Sequence, residues 1–298
     1  MKVIFDCDNT MGVHGCDING GLALLYLLGK ENIQICGITT TYGNSKIDIV
    51  HSNTVNMLQE LGRTAIPIIK GSANRYSFQS IAAEYLVEMV NTYPGEISIL
   101  ATGVLTNLYG AYVIDPGFFD KVGQLVIMGG VFQEIIINGT VIDEWNFSSD
   151  PTATLWVLRE GKNLSLITQD RGLELFVSYD RFVHNLGSSK FPIGRYIFDR
   201  SKSWLEHNKE NSKLNGFYTW DLLAAAYLTN PHFFNNQEQS ISLNYNNLTK
   251  GLVVLEEKEV GHKVNFPVAN DIEAIIKDFY KSWYSIKYDE NTQLKGAK

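Results

Sequence analysis

Residues 3–8, VIFDCD, read as a short apolar strand that ends on two carboxylates, Asp6 and Asp8. A turn-rich stretch follows, NTMGVHGCDINGG (residues 9–21), and leads into an apolar helix, LALLYLL (residues 22–28). Strand, loop and helix form the opening unit of an open α/β sheet, and such folds place their chemistry at the carboxyl ends of the strands. Two carboxylates at one strand end repel each other unless a cation joins them, so the stretch points to a site as well as a fold. Yet the helix entrance, where more acid is expected if a metal is held, carries Asn19, Gly20 and Gly21. Cys7, between the aspartates, falls on the opposite face of the strand and reads as packing.

The same alternation continues outward. Strands are expected at Val3–Phe5, Ile33–Thr39, Ile66–Ile69, Ile97–Ala101, Gln124–Met128 and Leu164–Thr168. Helical patterns lie between them at Leu22–Leu28, Ile47–Leu61, Ile81–Asn91, Leu105–Val113 and Pro151–Arg159. Near-continuous apolar strands separated by amphipathic helices predict an open, mostly parallel sheet with helices on both faces, a Rossmann-like core. Right-handed crossovers then bring the loops after the strands to one edge of the sheet. The segment QEIIINGTVIDE (133–144) reads as a small excursion with an Asn-Gly turn at Asn138-Gly139. Residues 201–216 end in the polar string HNKENSKLNG and read as a candidate mobile flap, after a helix containing Tyr196 and Trp204. The buried helix WDLLAAAYL (220–228), one or two strands and a terminal helix, Asp271–Tyr284, complete a unit expected to span 1–298 as one domain.

A hydrophobic content of 45% supports a substantial core, and a net charge of -7 argues against a nucleic-acid binder, which needs a basic surface. The opening does not read as a signal peptide, and no apolar run approaches the ~18 residues of a membrane span. The three cysteines (Cys7, Cys16, Cys36) show no CxxC spacing. A reduced cytoplasmic setting is therefore expected, with the sequons at Asn138, Asn146 and Asn247 as chance matches.

The string IFDCDNT also satisfies the DxDx[TV] opening of haloacid-dehalogenase-like phosphatases. There Asp6 would attack phosphorus and Asp8 would move the proton, with magnesium bridging them. That family needs a late acidic pair, and this chain has no Asp-Asp or Gly-Asp dipeptide. The phosphatase reading therefore ranks second.

A longer set of motifs points elsewhere: DCDNT (6–10), INGGLALL (18–25), TTTYGN (39–44), GVLTN (103–107), VIMGG (126–130), Asn138-Gly139, EWNFSSDP (144–151) and WDLLAAAYL (220–228). In this order they resemble the inosine-uridine-preferring nucleoside hydrolase family, whose opening motif is DxDPGxDDxxAL, with a longer loop here between its two halves. The resemblance implies hydrolysis of the N-glycosidic bond of a small-molecule ribonucleoside by a calcium-activated water. It also implies the nucleoside hydrolase fold, association into homodimers or homotetramers, and purine or pyrimidine salvage.

By resemblance, Asp8 is the general base and a calcium ligand, with Asp6 beside it. Thr106 gives its main-chain carbonyl and Asp221 a carboxylate. Asn44, Asn138, Glu144 and Asn146 bind ribose hydroxyls, with Met128 against the sugar. An amide and carboxylate set suits hydroxyls, which both donate and accept. Plainer readings stand beside these roles. Asn44 and Asn138 each adjoin a glycine and fit turns. Asp221 fits a helix N-terminus, and Asp150 before Pro151 fits an N-cap better than a catalyst. His14 lies in the long loop near the site, whereas His51, His184, His207, His232 and His262 have no ligand spacing.

Three departures from the pattern matter. Asn19 and Gly20 replace the family's paired aspartates, of which the first binds a ribose hydroxyl and the second calcium. Asn19 retains hydrogen-bonding capacity, but Gly20 offers no side chain. Trp220 stands where many members have a histidine that protonates the leaving base; it can stack on a base instead. Asp17, three residues before Gly20 in the long loop, is a candidate to supply the missing carboxylate, or alternatively an N-cap. Two function classes remain from the resemblance: an active hydrolase with a rebuilt calcium site, or a non-catalytic homologue that binds a nucleoside or ribose.

Overall fold

The computed structural model describes residues 1–256 and 261–288. Residues 257–260 and 289–298, part of the expected 1–298 unit, lie outside the described residues. The elements begin β1 (Lys2–Cys7), α1 (Asn19–Leu28), β2 (Gln34–Thr40), α2 (Ile47–Glu60), β3 (Ile68–Lys70), α3 (Ile81–Thr92) and β4 (Ile97–Ala101). Next come α4 (Thr106–Ile114), α5 (Phe118–Lys121), β5 (Gln124–Met128), the hairpin β6 (Ile135–Ile137) and β7 (Thr140–Ile142), α6 (Pro151–Glu160) and β8 (Leu164–Ile167). Then follow α7 (Gln169–Gly172), β9 (Phe176–Ser178), α8 (Tyr179–Phe182), α9 (Pro192–Asn211), β10 (Gly216–Tyr218) and α10 (Trp220–Thr229). The chain closes with β11 (Phe234–Asn235), β12 (Glu238–Ser242), α11 (Tyr245–Leu248), β13 (Val254–Leu255), β14 (His262–Asn265), β15 (Val268–Ala269) and α12 (Ile272–Tyr284).

Nine strands form the main sheet in the order β13-β12-β14-β8-β5-β4-β1-β2-β3. Pairing is parallel from β3 to β14, and β12 and β13 add an antiparallel edge. The expected open, mostly parallel α/β sheet is what forms. Alternation along β1 divides the core into two layers. Val3, Phe5 and Cys7 pack with α1, α10 and α12, whereas Ile4 packs with α3, α4 and α6. Helix α1 is buried over nearly its whole length and lies between α10 and α12, which explains its lack of any polar face.

Several elements differ from expectation. Where one or two strands were expected after α10, the described residues form five, β11 to β15. Helix α1 starts at Asn19 rather than Leu22, because Asp17 Oδ1 accepts the Asn19 N–H at 2.7 Å and Leu22 N–H reaches the Ile18 carbonyl at 3.0 Å. Helix α9 runs through Asn211, so His207–Asn211 are helical and only 212–215 form a loop before β10. Its buried positions Ser201, Leu205 and Asn208 recur at helical spacing between polar residues, a stripe narrow enough to read as loop. Among the described residues, no helix is long and apolar enough to cross a membrane.

Candidate active site

Strand β1 lies between β2 and β4, so the chain winds towards one edge through β3 and then towards the other from β4. Ligands of open α/β sheets bind in the crevice at this switch point, and Asp6 and Asp8 stand there. Asp6 is fully buried; its Oδ2 accepts from Thr39 Oγ1 at 2.6 Å and Asn107 Nδ2 at 2.8 Å, while Oδ1 has no protein partner. Asn107 is itself fixed, since its Oδ1 accepts from the Ser72 N–H and hydroxyl, each at 2.9 Å. Burial pushes the Asp6 carboxyl up to about 7 against those two hydrogen bonds.

Asp8 follows β1 directly. Its Oδ2 accepts the Asn44 backbone N–H at 2.7 Å and its Oδ1 the Asn44 side-chain amide at 3.1 Å. Only glycine at 43 permits this contact, because a Cβ there would stand 2.1 Å from Asp8 Oδ2. Burial raises Asp8 to about 7; the Asn44 N–H opposes this, and the charges of Asp17 and Asp6 add to it. The long loop after Asp8 turns inward. Thr10 Oγ1 donates to the Asp17 carbonyl at 2.8 Å, and the Asp17 carboxylate accepts from the Asn19 N–H at 2.7 Å and Asn19 Nδ2 at 3.0 Å. Asp221, buried in the first turn of α10, is pushed well above the carboxylate range by burial, then by the charges of Asp17 and Asp8. A Cβ on Gly20 would stand 3.5 Å from Asp221 Oδ2, so the position that lacks a carboxylate looks onto one.

A cavity of about 280 Å³ opens beside these groups. Asp17, Asn19, Asn44, Met128, Glu144, Asn146, Trp220 and Asp221 line it. Asn146 Nδ2 donates to the Met128 carbonyl at 3.0 Å and the Thr102 carbonyl at 3.3 Å. Glu144 accepts the N–H groups of Gly130, Phe147 and Ser148 at 3.0–3.1 Å, and burial nevertheless raises it to about 7. Asp6, Asp8, Thr106, Asn138 and His14 are not among the lining residues. Thr106 directs its hydroxyl to Asp150 Oδ2 at 2.6 Å, and Asp150 caps α6 through the Ala153 N–H with Pro151 behind it. Asn138 occupies the tip of the β6–β7 hairpin at φ 52°, donating to the carbonyls of Ser212 (3.1 Å) and Lys213 (3.3 Å). His14 is exposed.

Thr102, Gln169 and Trp204 also line the cavity and carry no sequence motif. Thr102 and Gln169 directly follow β4 and just follow β8, so reading every strand's exit on the shared edge would have found them. Trp204 projects from α9, and nothing in the sequence signals it. Five lining atoms are buried without a protein partner: Asn19 Oδ1, Thr102 Oγ1, Gln169 Oε1, Trp204 Nε1 and Trp220 Nε1. Each such atom costs about 1–3 kcal/mol unless a ligand or water engages it, so their clustering fits a polar, hydrogen-bonding ligand.

The donor chemistry fits a hard divalent cation. Asp8, Asp17 and Asp221 are oxygen donors within one another's electrostatic reach, Asp6 Oδ1 lacks a protein partner, and among the described residues no basic side chain forms an ion pair with any of them. As they stand, Asn44 and Asn19 engage the oxygens of Asp8 and Asp17, and among the described residues no three acidic, His or Cys side chains converge at metal-binding distance. Of these two observations the cluster of buried carboxyls weighs more, because the side-chain amides of Asn44 and Asn19 can rotate and a carboxylate oxygen that accepts a backbone N–H keeps a second lone pair for a cation.

Residues 3–277 match the family described as inosine-uridine preferring nucleoside hydrolase. The chain belongs to this family. Similar nucleoside hydrolases include a protein named probable uridine nucleosidase 2 from Arabidopsis thaliana, 26% identical over 85% of each chain. A pyrimidine-specific ribonucleoside hydrolase of Escherichia coli is 24% identical over 82% of this chain and 83% of its own. The fold superimposes on a plant nucleoside hydrolase with a TM-score of 0.83, 23% identity, and 95% and 98% coverage. It also superimposes on a purine-preferring ribonucleoside hydrolase from Gardnerella vaginalis at 0.82, with 20% identity, and 96% and 99% coverage. Family membership displaces the phosphatase reading.

Proposed function

We propose that this nucleoside hydrolase cleaves the N-glycosidic bond of ribonucleosides, releasing ribose and free base, with calcium held by Asp8, Asp17, Asp221 and the Thr106 carbonyl beside Asp6. The observation that carries the proposal is one cavity in which Asp17 and Asp221 share the walls with amides and aromatic rings. Bound calcium would acidify a water and hold ribose hydroxyls. Asp8 would take a proton from the attacking water, whose oxygen bonds to C1′ as the bond from C1′ to the base nitrogen breaks. Positive charge develops on the sugar, and the carboxylates stabilise it more than they stabilise the neutral substrate. Asn19, Asn44, Asn146 and Glu144 bind ribose hydroxyls, and Met128 lies against the sugar. Trp220 stacks on the base and cannot protonate it, so the leaving group takes its proton from solvent.

A second reading has a specific observation in its favour. Gly20 contributes no ligand while Asn44 and Asn19 already satisfy Asp8 and Asp17, which suits a homologue that binds nucleoside without cleaving it. Chromatography of free base and ribose released from a ribonucleoside panel, with calcium present, separates the two. The active reading expects turnover that Asp8→Asn lowers roughly 10²–10⁴-fold, the range for loss of a general base. Binding of nucleoside without release of any base would overturn it.

A further inference from the structure

The loop that carries Asp17 is held from two sides. Inside it, Thr10 Oγ1 donates to the Asp17 carbonyl at 2.8 Å and the Val13 and Cys16 N–H groups reach the carbonyls of Thr10 and Val13; its other contacts run to α9, on the far side of the chain in sequence. The Arg200 guanidinium donates from Nη2 to the Met11 carbonyl at 3.1 Å and to Asn53 Oδ1 at 3.0 Å, and from Nη1 to Glu60 Oε2 at 2.6 Å. Asn53 Nδ2 returns to the carbonyls of Asn9 and Met11, each at 3.2 Å, so both ends of the Arg200–Asn53 pair grip the start of the loop. One helical turn along α9, Ser203 Oγ accepts the Gly15 N–H at 3.0 Å. The guanidinium lies so close to the loop that a Cβ at Gly12, already at φ +95°, would stand 3.0 Å from Arg200 Cζ.

The loop therefore has two anchors on α9, one at Met11 and one at Gly15, and it delivers Asp17 into the cavity wall two residues after the second. Arg200 is largely buried, at 17% side-chain exposure, so its hydrogen bonds are shielded from water. Helix α9 also lines the cavity itself through Trp204 and Asn208.

We infer that Arg200 and Ser203 are positioning residues for the cation site: they hold the loop so that Asp17 stands in for the carboxylate that Gly20 lacks. The inference rests on Asp17 being a calcium ligand in the proposed function. Groups that orient a metal ligand without touching the metal are commonly worth about 10–100-fold in metal affinity.

Calcium titration of the full chain by calorimetry tests this, with far-UV circular dichroism on each variant. Asp17→Asn is expected to weaken calcium binding at least tenfold. Arg200→Met, which keeps the apolar stem but removes the donors, is expected to weaken it by a comparable factor with an unchanged spectrum, and Arg200→Lys to recover part of the loss. The double variant is expected to bind calcium within about twofold of Asp17→Asn alone, because removing the ligand leaves Arg200 nothing to position. Wild-type affinity in Arg200→Met, alongside a loss in Asp17→Asn, overturns the inference and leaves the site reading standing. No loss in Asp17→Asn, or no calcium binding by the wild type, overturns the site reading itself. If Arg200→Met does not fold, Ser203→Ala decides: about threefold weaker binding is expected, and none overturns the inference.

Discussion

At the scale of single residues, the site turns on which carboxylates are present and what faces them. Gly20 sets the sharpest test. Its Cβ direction points to Asp221 Oδ2 at 3.5 Å, but Asn9 Cα stands at 3.3 Å, so an aspartate there fits only if the backbone yields slightly. Without a cation, Gly20→Asp adds a further buried charge beside Asp221 and is expected to lower the melting temperature in chelator. With calcium the added ligand is expected to raise affinity and enlarge the calcium-induced rise in melting temperature. A calcium-independent loss of stability would show that steric pressure from Asn9 decides the outcome. The carboxylates themselves were legible in the sequence, because two acids at the end of an apolar strand repel unless a site there makes use of them. The groups that fix them were not. Thr39 and Asn107 hold Asp6 across 33 and 101 residues of chain, and no local pattern encodes such a pairing.

At the scale of elements, the parallel strands and their helices were readable because burial on both faces leaves unbroken apolar runs. Helix α9 was only half readable, since its C-terminal turns show the core Leu205 and Asn208 amid Lys, Glu and Asn. Asn138-Gly139 announced the turn of the hairpin but not its two strands, and the role of Asn138 is the point at issue. Asn138 Nδ2 spans to the carbonyls of Ser212 and Lys213, joining the hairpin tip to the loop after α9. Ile137 and Val141 of the hairpin and Ser212 of the loop all line the cavity, so this clasp crosses its rim. If the clasp is its role, Asn138→Ala is expected to cost about 0.5–1.5 kcal/mol in urea unfolding, from two exposed hydrogen bonds and an unfavourable positive φ. Limited proteolysis at 212–215 should quicken, with kcat/KM changed less than tenfold. A fall in kcat/KM of a hundredfold or more, with proteolysis unchanged, would instead return Asn138 to the ribose.

At the scale of the whole molecule, the buried acids set how stability responds to pH. Burial raises Asp6, Asp8 and Glu144 to about 7, against roughly 4 in an unfolded chain. Between those values the folded protein binds more protons than the unfolded one, so the stabilisation is complete below about pH 4 and is lost as pH rises through 7. Asp48, Asp115 and Glu273 are held below the usual range by Lys70, Lys121 and Arg181, and act in the opposite sense. These pairs lie near the surface, where solvent and salt screen them, so the buried acids prevail. In chelator the melting temperature is therefore expected to fall from pH 5 to pH 8. Calcium reverses the sign for the carboxylates it engages, because binding favours their ionised form and competes with protons at low pH. Glu144, held by backbone N–H groups rather than offered to a cation, keeps part of the original slope. Thermal scans from pH 5 to 8, with chelator and with millimolar calcium, are expected to converge at pH 5 and separate at pH 8. Parallel curves would place calcium away from the buried acids.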